Sequence, residues 1–412
     1  MELRVKGYKN LRDCVLPMRD FNVIVGPNNS GKSNLLEIFR VLWCLCFGAE
    51  EERRNFLRGL PLCRRDPQTP RLWHPQKEAL SIGVTFETLV ANETWVVDFD
   101  LSVKRATTPD TVEGMGFETE CLKAKHPSKT GPARVFLRRD GKKLVIDKKE
   151  HAIPKWISAV AAVSVLYPEP DALGPELSAF IKDIEILART TVYALSPENL
   201  RTSMQKETPL SADRVSAFGL LPAIDEIFRN KSKLEIFKTT VCNILDLDDI
   251  KFDGFDMPLP RGKDAVEKRT QRIRFCVLRG KGTEYAELGE YSDGTLIVTA
   301  IVAALVLNDR KKGLTCIEEL ENCLHPSAQE KLLRFLRENA AGWQLAITTH
   351  SPYLVNGVDA DDVLVAVVCE DGFTQFAKPT RRREINDLLK RGLMSFGDLM
   401  VSNFQDLVDV TK

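Results

Sequence analysis

Between Phe21 and Glu37 the chain reads Phe-Asn-Val-Ile-Val-Gly-Pro-Asn-Asn-Ser-Gly-Lys-Ser-Asn-Leu-Leu-Glu. Phe21, Val23, Ile24 and Val25 make an apolar run of strand length. From Asn34 to Leu42, Leu35, Leu36, Ile38 and Phe39 recur at helical spacing. Between the two lies Gly26-x-x-x-x-Gly31-Lys32-Ser33, a full P-loop pattern. A strand, a glycine-rich turn and a helix start, in that order, build a phosphate site. The glycines let the backbone curl so that several N–H groups point at one anion, and the helix N-terminus adds its own field. Gly26, Pro27, Asn28, Asn29, Ser30 and Gly31 supply the wrapping segment. Lys32 adds a positive charge at the β- and γ-phosphates, and the Ser33 hydroxyl is placed to ligate Mg²⁺. The expected ligands are ATP and Mg²⁺, on an α/β fold of the P-loop NTPase kind.

Composition removes several other classes. With 412 residues the chain can bury two or more lobes. Lys plus Arg and Asp plus Glu number 58 each, so there is no overall basic charge to point to a nucleic-acid protein, although a local basic patch stays open. The ten cysteines are scattered. No pair of C-x-x-C units exists, and Cys44-x-Cys46 has the wrong spacing for zinc. Cys276 and Cys316 sit in apolar runs, where a thiol is a small hydrophobe. A reduced, cytoplasmic setting is the expectation. The start, MELRVKGYKN, has no apolar signal core. The longest uncharged apolar run, Leu296 to Leu307, is 12 residues, too short for a bilayer and right for a buried helix.

Three regions are expected. Residues 1–150 form an N-terminal ATPase lobe. Strands run through Leu3–Val5, Cys14–Leu16 and the P-loop strand, with a turn over Gly7–Leu11. Glu50 to Pro75 is polar and basic and reads as a surface loop or linker, whose arginines are either a solvated face or a nucleic-acid contact. Leu80–Phe86 and Trp95–Val103 read as strands, and Arg134–Ile146 as a hairpin turning at Asp140-Gly141. Together they suggest an antiparallel sheet packed beside the nucleotide site. Residues 151–250 form a helical insertion, with helical periodicity over Trp156–Leu166, Leu177–Leu187, Leu220–Asn230 and Leu234–Leu245. Residues 251–412 return to the ATPase. Gly254–Gly262 reads as a loop, and Arg272–Leu278 with Thr283–Glu287 reads as a hairpin.

Three further motifs lie in the last region. Tyr291-Ser292-Asp293-Gly294-Thr295 precedes the apolar helix, so Ser292 and Gly294 sit at a helix N-terminus. In Gly313-Leu-Thr-Cys-Ile-Glu318-Glu319-Leu320-Glu321-Asn322-Cys323-Leu324-His325-Pro326, an apolar strand ends in adjacent acids. With a P-loop upstream, that pattern presents one acid, Glu318, to the metal and a second, Glu319, to the attacking water. Leu345-Ala-Ile-Thr-Thr-His350-Ser351-Pro352 ends the next apolar strand in a histidine, where a γ-phosphate sensor would stand.

Together GPNNSGKS, YSDGT, CIEELENCLHP and ITTHSP resemble the ABC-type ATPase heads of the RecF and SMC group, and above all the OLD-type AAA family ATPases, many of which serve in bacterial phage defence. The resemblance covers residues 1–45 and 285–356. It implies an ABC-ATPase-like head with an antiparallel β lobe and an inserted helical subdomain. It also implies a homodimer or higher oligomer that sandwiches ATP, with each Ser292 facing the nucleotide on the partner's P-loop. By the same resemblance Glu318 takes the Walker B metal-side role, Glu319 that of catalytic base and His350 that of switch histidine. Glu318 stands where ABC heads usually carry Asp, Leu320 where the OLD-like branch has Pro, and Ile297 where many relatives have Arg. OLD nucleases continue into a Toprim domain, whereas 62 residues follow His350 here, so an ATPase without its own nuclease is expected. The resulting reading is an ATP-hydrolysing sensor or regulator in phage defence, working through a separately encoded protein effector, a nuclease or toxin. The alternatives are a RecF-like DNA-repair ATPase and a nucleotide-gated scaffold with little turnover. No membrane partner is expected.

Overall fold

The computed structural model describes residues 1–57, 79–105, 115–126, 128, 130–169, 173–189, 191–193, 195–204, 220–258, 270–307, 314–339, 344–379, 395 and 397–398. The hairpin of β1 (Glu2–Tyr8) and β2 (Leu11–Pro17) leads into β3 (Phe21–Val25), followed by α1 (Lys32–Cys46) and α2 (Glu50–Leu57). An antiparallel run comes next: β4 (Leu80–Val90), β5 (Glu93–Arg105), β6 (Met115–Lys125), β7 (Arg134–Asp140), β8 (Lys143–Ile146) and β9 (Lys149–Ala152). Then come α3 (Ala159–Leu166), α4 (Pro175–Ala188), β10 (Thr191–Tyr193), α5 (Pro197–Met204), α6 (Leu220–Arg229) and α7 (Lys231–Leu245). A small antiparallel sheet of β11 (Leu247–Pro258), β12 (Thr270–Gly280) and β13 (Tyr285–Glu287) precedes α8 (Asp293–Leu307). The chain closes with β14 (Leu314–Ile317), α9 (Pro326–Asn339), β15 (Gln344–Thr349), α10 (Pro352–Asn356), β16 (Val363–Val368) and β17 (Thr374–Ala377).

Fourteen strands join in one mixed sheet, ordered β10-β14-β15-β3-β16-β17-β2-β1-β4-β5-β6-β7-β8-β9. From β10 to β16 the pairing is parallel, and from β1 outward it is antiparallel. The expected α/β class is therefore observed. The antiparallel strands extend the sheet that carries the P-loop strand β3 rather than forming a second sheet beside it.

The parallel strands are apolar without a break because helices cover both faces. Successive side chains divide between two cores. Ile24, Ala346 and Leu364 join Leu35, Leu36 and Phe39 of α1 on one face. Val23, Val25, Leu345, Ile347, Val363 and Val365 join α8 on the other. Helix α8 is apolar on every side and buried from Gly294 to Leu305, as a central helix must be. Of the helices between residues 151 and 250, α3 and α4 pack into the first core, and α6 and α7 into the second.

Two expectations are corrected. The stretch Glu50–Pro75 begins as a helix, α2, rather than a loop. Phe56 and Leu57 are buried there, and the Arg53 guanidinium donates to the carbonyls of Leu45 and Gly48 at 2.9 Å each. Residues 58–75 lie outside the described part. The expected loop from Gly254 is strand through Pro258, paired along its length with β12, and residues 259–262 lie outside the described part. Among the described residues no helix is long and apolar enough to cross a membrane.

Candidate functional site

The register of the parallel strands sets the site. Ile317 lies opposite Ile347, Thr349 opposite Val25, and Val25 opposite Val365. β3 and β15 therefore end level, and β14 ends two residues before them. Their next residues emerge along one edge: Glu318 and Glu319 after β14, His350 after β15, Gly26 after β3. The carboxyl edge of a parallel sheet is where such folds take ligands.

The loop after β3 is tightly built. A Cβ on Gly26 would lie 2.6 Å from the Ala366 carbonyl oxygen. Gly31 has φ +81, and a Cβ there would come within 2.8 Å of both polar atoms of the Asn10 amide. Pro27, Asn28 and Asn29 are exposed, and Ser30 is buried. Asn10, in the β1–β2 turn, braces this loop. Its Nδ2 donates to the carbonyl of Asn29 at 3.3 Å and to Thr374 Oγ1 at 2.8 Å, and its Oδ1 accepts from Asn34 Nδ2 at 2.7 Å. No side chain caps α1, so its first-turn N–H groups remain available to an anion.

Lys32 is buried, with its ammonium on the carbonyls of Gly26 and Pro27 at 2.9 and 2.8 Å. Burial pushes its pKa down to about 8, against the pull of Glu319 and Glu321. Ser33 is exposed in the first turn of α1.

The acid turn after β14 is anchored to β15. Glu319 takes φ +51, a left-handed conformation that a non-glycine residue keeps only when its surroundings hold it. Its N–H donates to Thr348 Oγ1 at 3.0 Å, and Leu320 N–H donates to the Thr348 carbonyl at 3.2 Å. Asn322 Nδ2 donates to the Glu319 carboxylate at 2.7 Å. Glu321 accepts from the His350 N–H with one oxygen, while its other oxygen is buried without a partner among the described residues. Burial and the nearby Lys32 charge hold the His350 imidazole below its ordinary pKa, against Glu321 and Glu319. After His350, Ser351 caps α10 and donates to Gln329 Oε1 at 2.8 Å.

Lys32, Glu319 and His350 are therefore brought together. Glu318 is half-buried beside them, but the acids whose charge reaches Lys32 and His350 are Glu319 and Glu321. Ser292 is exposed at the start of α8 and its hydroxyl bonds within its own helix, to Thr295 at 3.0 Å. Gly294 is pressed on the acid turn, where a Cβ would lie 2.5 Å from the Cys323 carbonyl oxygen. Arg201 of α5 fixes the approach to Ser292, donating to the Tyr291 carbonyl at 2.9 Å and pairing with Asp293. Sequence reading missed Glu321, Asn10 and Thr348. Only Glu321 left a signal, a third acid two residues after Glu319 in the same turn.

Residues 1–46 match the family model described as "AAA ATPase domain". Residues 168–356 match that described as "AAA domain, putative AbiEii toxin, Type IV TA system". Both matches are to AAA-family domains. The first takes in the P-loop; the second takes in Ser292, the acid turn and His350. No curated protein matches the chain. Among solved structures, an Smc head bound to the C-winged helix domain of ScpA is 12% identical with a TM-score of 0.47, the match covering 93% of this chain and 98% of that one. The SMC head domain from Thermotoga maritima is 13% identical with a TM-score of 0.41, covering 92% and 98%. An Smc head with an extended coiled coil, bound to the C-terminal domain of ScpA and derived from Pyrococcus furiosus, is 12% identical with a TM-score of 0.43, covering 95% and 98%.

Proposed function

We propose that the chain binds and hydrolyses ATP at the edge where β3, β14 and β15 end. The observation that carries this reading is that the three parallel strands open onto one carboxyl edge, where Lys32, Glu319 and His350 meet. The loop suits a polyphosphate. A buried ammonium resting on neutral carbonyls, beside an uncapped helix start, is a cation in want of an anion. Ser33 and Glu318 offer hard oxygen donors for Mg²⁺. Among the described residues no group of three or more His, Cys, Asp or Glu could hold a metal. Mg²⁺ needs none, because it keeps waters and takes phosphate oxygens. Bound there, it neutralises charge on the phosphates.

The chain's own groups divide the rest of the work. Lys32 holds the phosphates. Glu319, steadied by Asn322, accepts the proton of the attacking water. His350 reads the terminal phosphate. Ser292 is exposed and, among the described residues, hydrogen-bonds within its own helix, which places its exposed side to meet the nucleotide of a second copy in an ATP-closed dimer. Opening and closing of that dimer would regulate a separate effector in phage defence. The description of the matched family, which names a toxin and a toxin–antitoxin system, supports such a setting.

The test is direct. Lys32→Ala abolishes or severely weakens ATP binding measured by calorimetry, and phosphate release with it; wild-type affinity in the variant rules the site out. DNA is a second reading, favoured by one feature: residues 121–155 carry eleven Lys and Arg against three Asp and Glu in a chain of zero net charge. Fluorescence anisotropy with duplex DNA, with and without ATP, separates the two.

A further inference from the structure

We propose that Glu321 is a positioning residue of the ATP site, resting on the proposed ATPase function: it fixes His350 to the acid turn and offers its second oxygen to a water held over the terminal phosphate. Its place between the motifs is what distinguishes it. One carboxylate oxygen accepts from the His350 N–H across 29 residues of sequence. Two further bonds run in parallel, Glu319 N–H to Thr348 Oγ1 and Leu320 N–H to the Thr348 carbonyl. The ends of β14 and β15 are thereby stitched together, and Glu319 and His350 keep a fixed relation.

The other oxygen differs from that of a purely structural clasp. A buried structural carboxylate of this fold, Glu120, is saturated: it accepts from Arg139 Nη1 at 3.0 Å, from Ser158 Oγ at 2.8 Å and from the Ala159 N–H at 2.6 Å. Glu321 Oε2 is just as cut off from solvent yet has no partner among the described residues. A buried acceptor left unmade is costly, and such groups persist where something else satisfies them. The neighbours define what can. Lys32 and His350 both feel the Glu321 charge, and one of its oxygens is bonded to the His350 N–H, so the carboxylate lies at the phosphate cradle. A phosphate cannot satisfy it, being itself an acceptor, but a water that donates to Glu321 can.

Two variants separate the two jobs. In Glu321→Gln the amide oxygen still accepts from His350, while an NH₂ donor replaces the unpaired acceptor. Glu321→Ala removes both. Hydrogen exchange at the His350 amide, followed without nucleotide, should stay slow in Glu321→Gln and quicken in Glu321→Ala. Steady-state phosphate release should lose about 10–100-fold in kcat in both, the worth of one hydrogen bond to a charged group, with KM within about twofold. Wild-type kcat in Glu321→Gln overturns the water-acceptor role, since a structural clasp would tolerate glutamine. Wild-type exchange in Glu321→Ala overturns the hold on His350. Wild-type protein that releases no phosphate defeats the ATPase reading instead, and the exchange measurement still decides the hold.

Discussion

Lys32 provides a prediction in which pH alone is the perturbation. Burial holds its pKa near 8 in the nucleotide-free protein. A polyphosphate beside the ammonium favours the charged form and returns the pKa toward its ordinary value of about 10.4. At pH 7 Lys32 is about 90% charged before binding; at pH 9 only about 10% is. ATP binding at pH 9 must then take up about 0.9 proton, against about 0.1 at pH 7, and affinity falls roughly tenfold over that interval. The phosphates, whose last pKa is about 6, stay ionised throughout. Calorimetry at each pH in two buffers of different ionisation enthalpy measures the uptake, and Lys32→Met, whose residual binding should not vary over this range, is the control. A wild-type dissociation constant that is flat from pH 7 to 9.5, or no uptake at pH 9, refutes the reasoning. The same depression has a stability consequence without ligand. Between about 8 and 10.5 the unfolded chain binds the proton that the folded chain has lost, so this contribution to stability rises with pH. The gap between wild type and a more stable Lys32→Met should narrow across that window in thermal melts.

Three other outcomes rest on particular residues. Glu319→Gln keeps the shape of the acid turn but removes the proton acceptor, so phosphate release should fall about 10²–10⁴-fold while calorimetric ATP affinity holds; unchanged turnover defeats the assignment. Ser292→Arg should leave ATP binding by the separate chain intact and stop turnover, with no rise in mass on adding ATP by light scattering; normal hydrolysis defeats the dimer. Arg139→Leu leaves Glu120 buried without its countercharge and should cost about 3–5 kcal/mol in urea unfolding, whereas Glu120→Leu combined with Arg139→Leu should recover part of it.

The sequence exposed whatever is local. The P-loop, its strand and its helix are contiguous, and apolar runs ending at Glu318 and His350 announced two more strand ends. Pairing was not local, and there the reading failed. Asp253, Gly254, Asp256 and Pro258 look like turn formers, yet β12 supplies partners for all of them, and β11 is an edge strand, where proline is tolerated. Helix α2 looked like a charged surface because three glutamates and two arginines fill it. Its burial comes from Phe56, Leu57 and an Arg53 whose guanidinium answers two carbonyls at the end of α1. Sequence spacing cannot reveal such a bond.

Asn10 carries the same lesson into the site. No motif contains it, yet one amide touches the P-loop carbonyl at Asn29, the first turn of α1 at Asn34 and β17 at Thr374. Its own carbonyl accepts from the Thr374 N–H at 2.8 Å. The amide also lies against Gly31, so the glycine is needed there for space as well as for its φ. The P-loop is thus held from one side by the β1–β2 turn, while the acid turn is held from the other by Thr348 and Glu321. Each brace is a short polar bridge between strand ends of one continuous sheet. A nucleotide that draws Lys32 off the carbonyls of Gly26 and Pro27 therefore changes a loop whose flanks are fixed. The response then passes through the unpaired oxygen of Glu321 and the exposed residues Pro27 and Asn28, ahead of the Asn29 carbonyl that Asn10 holds.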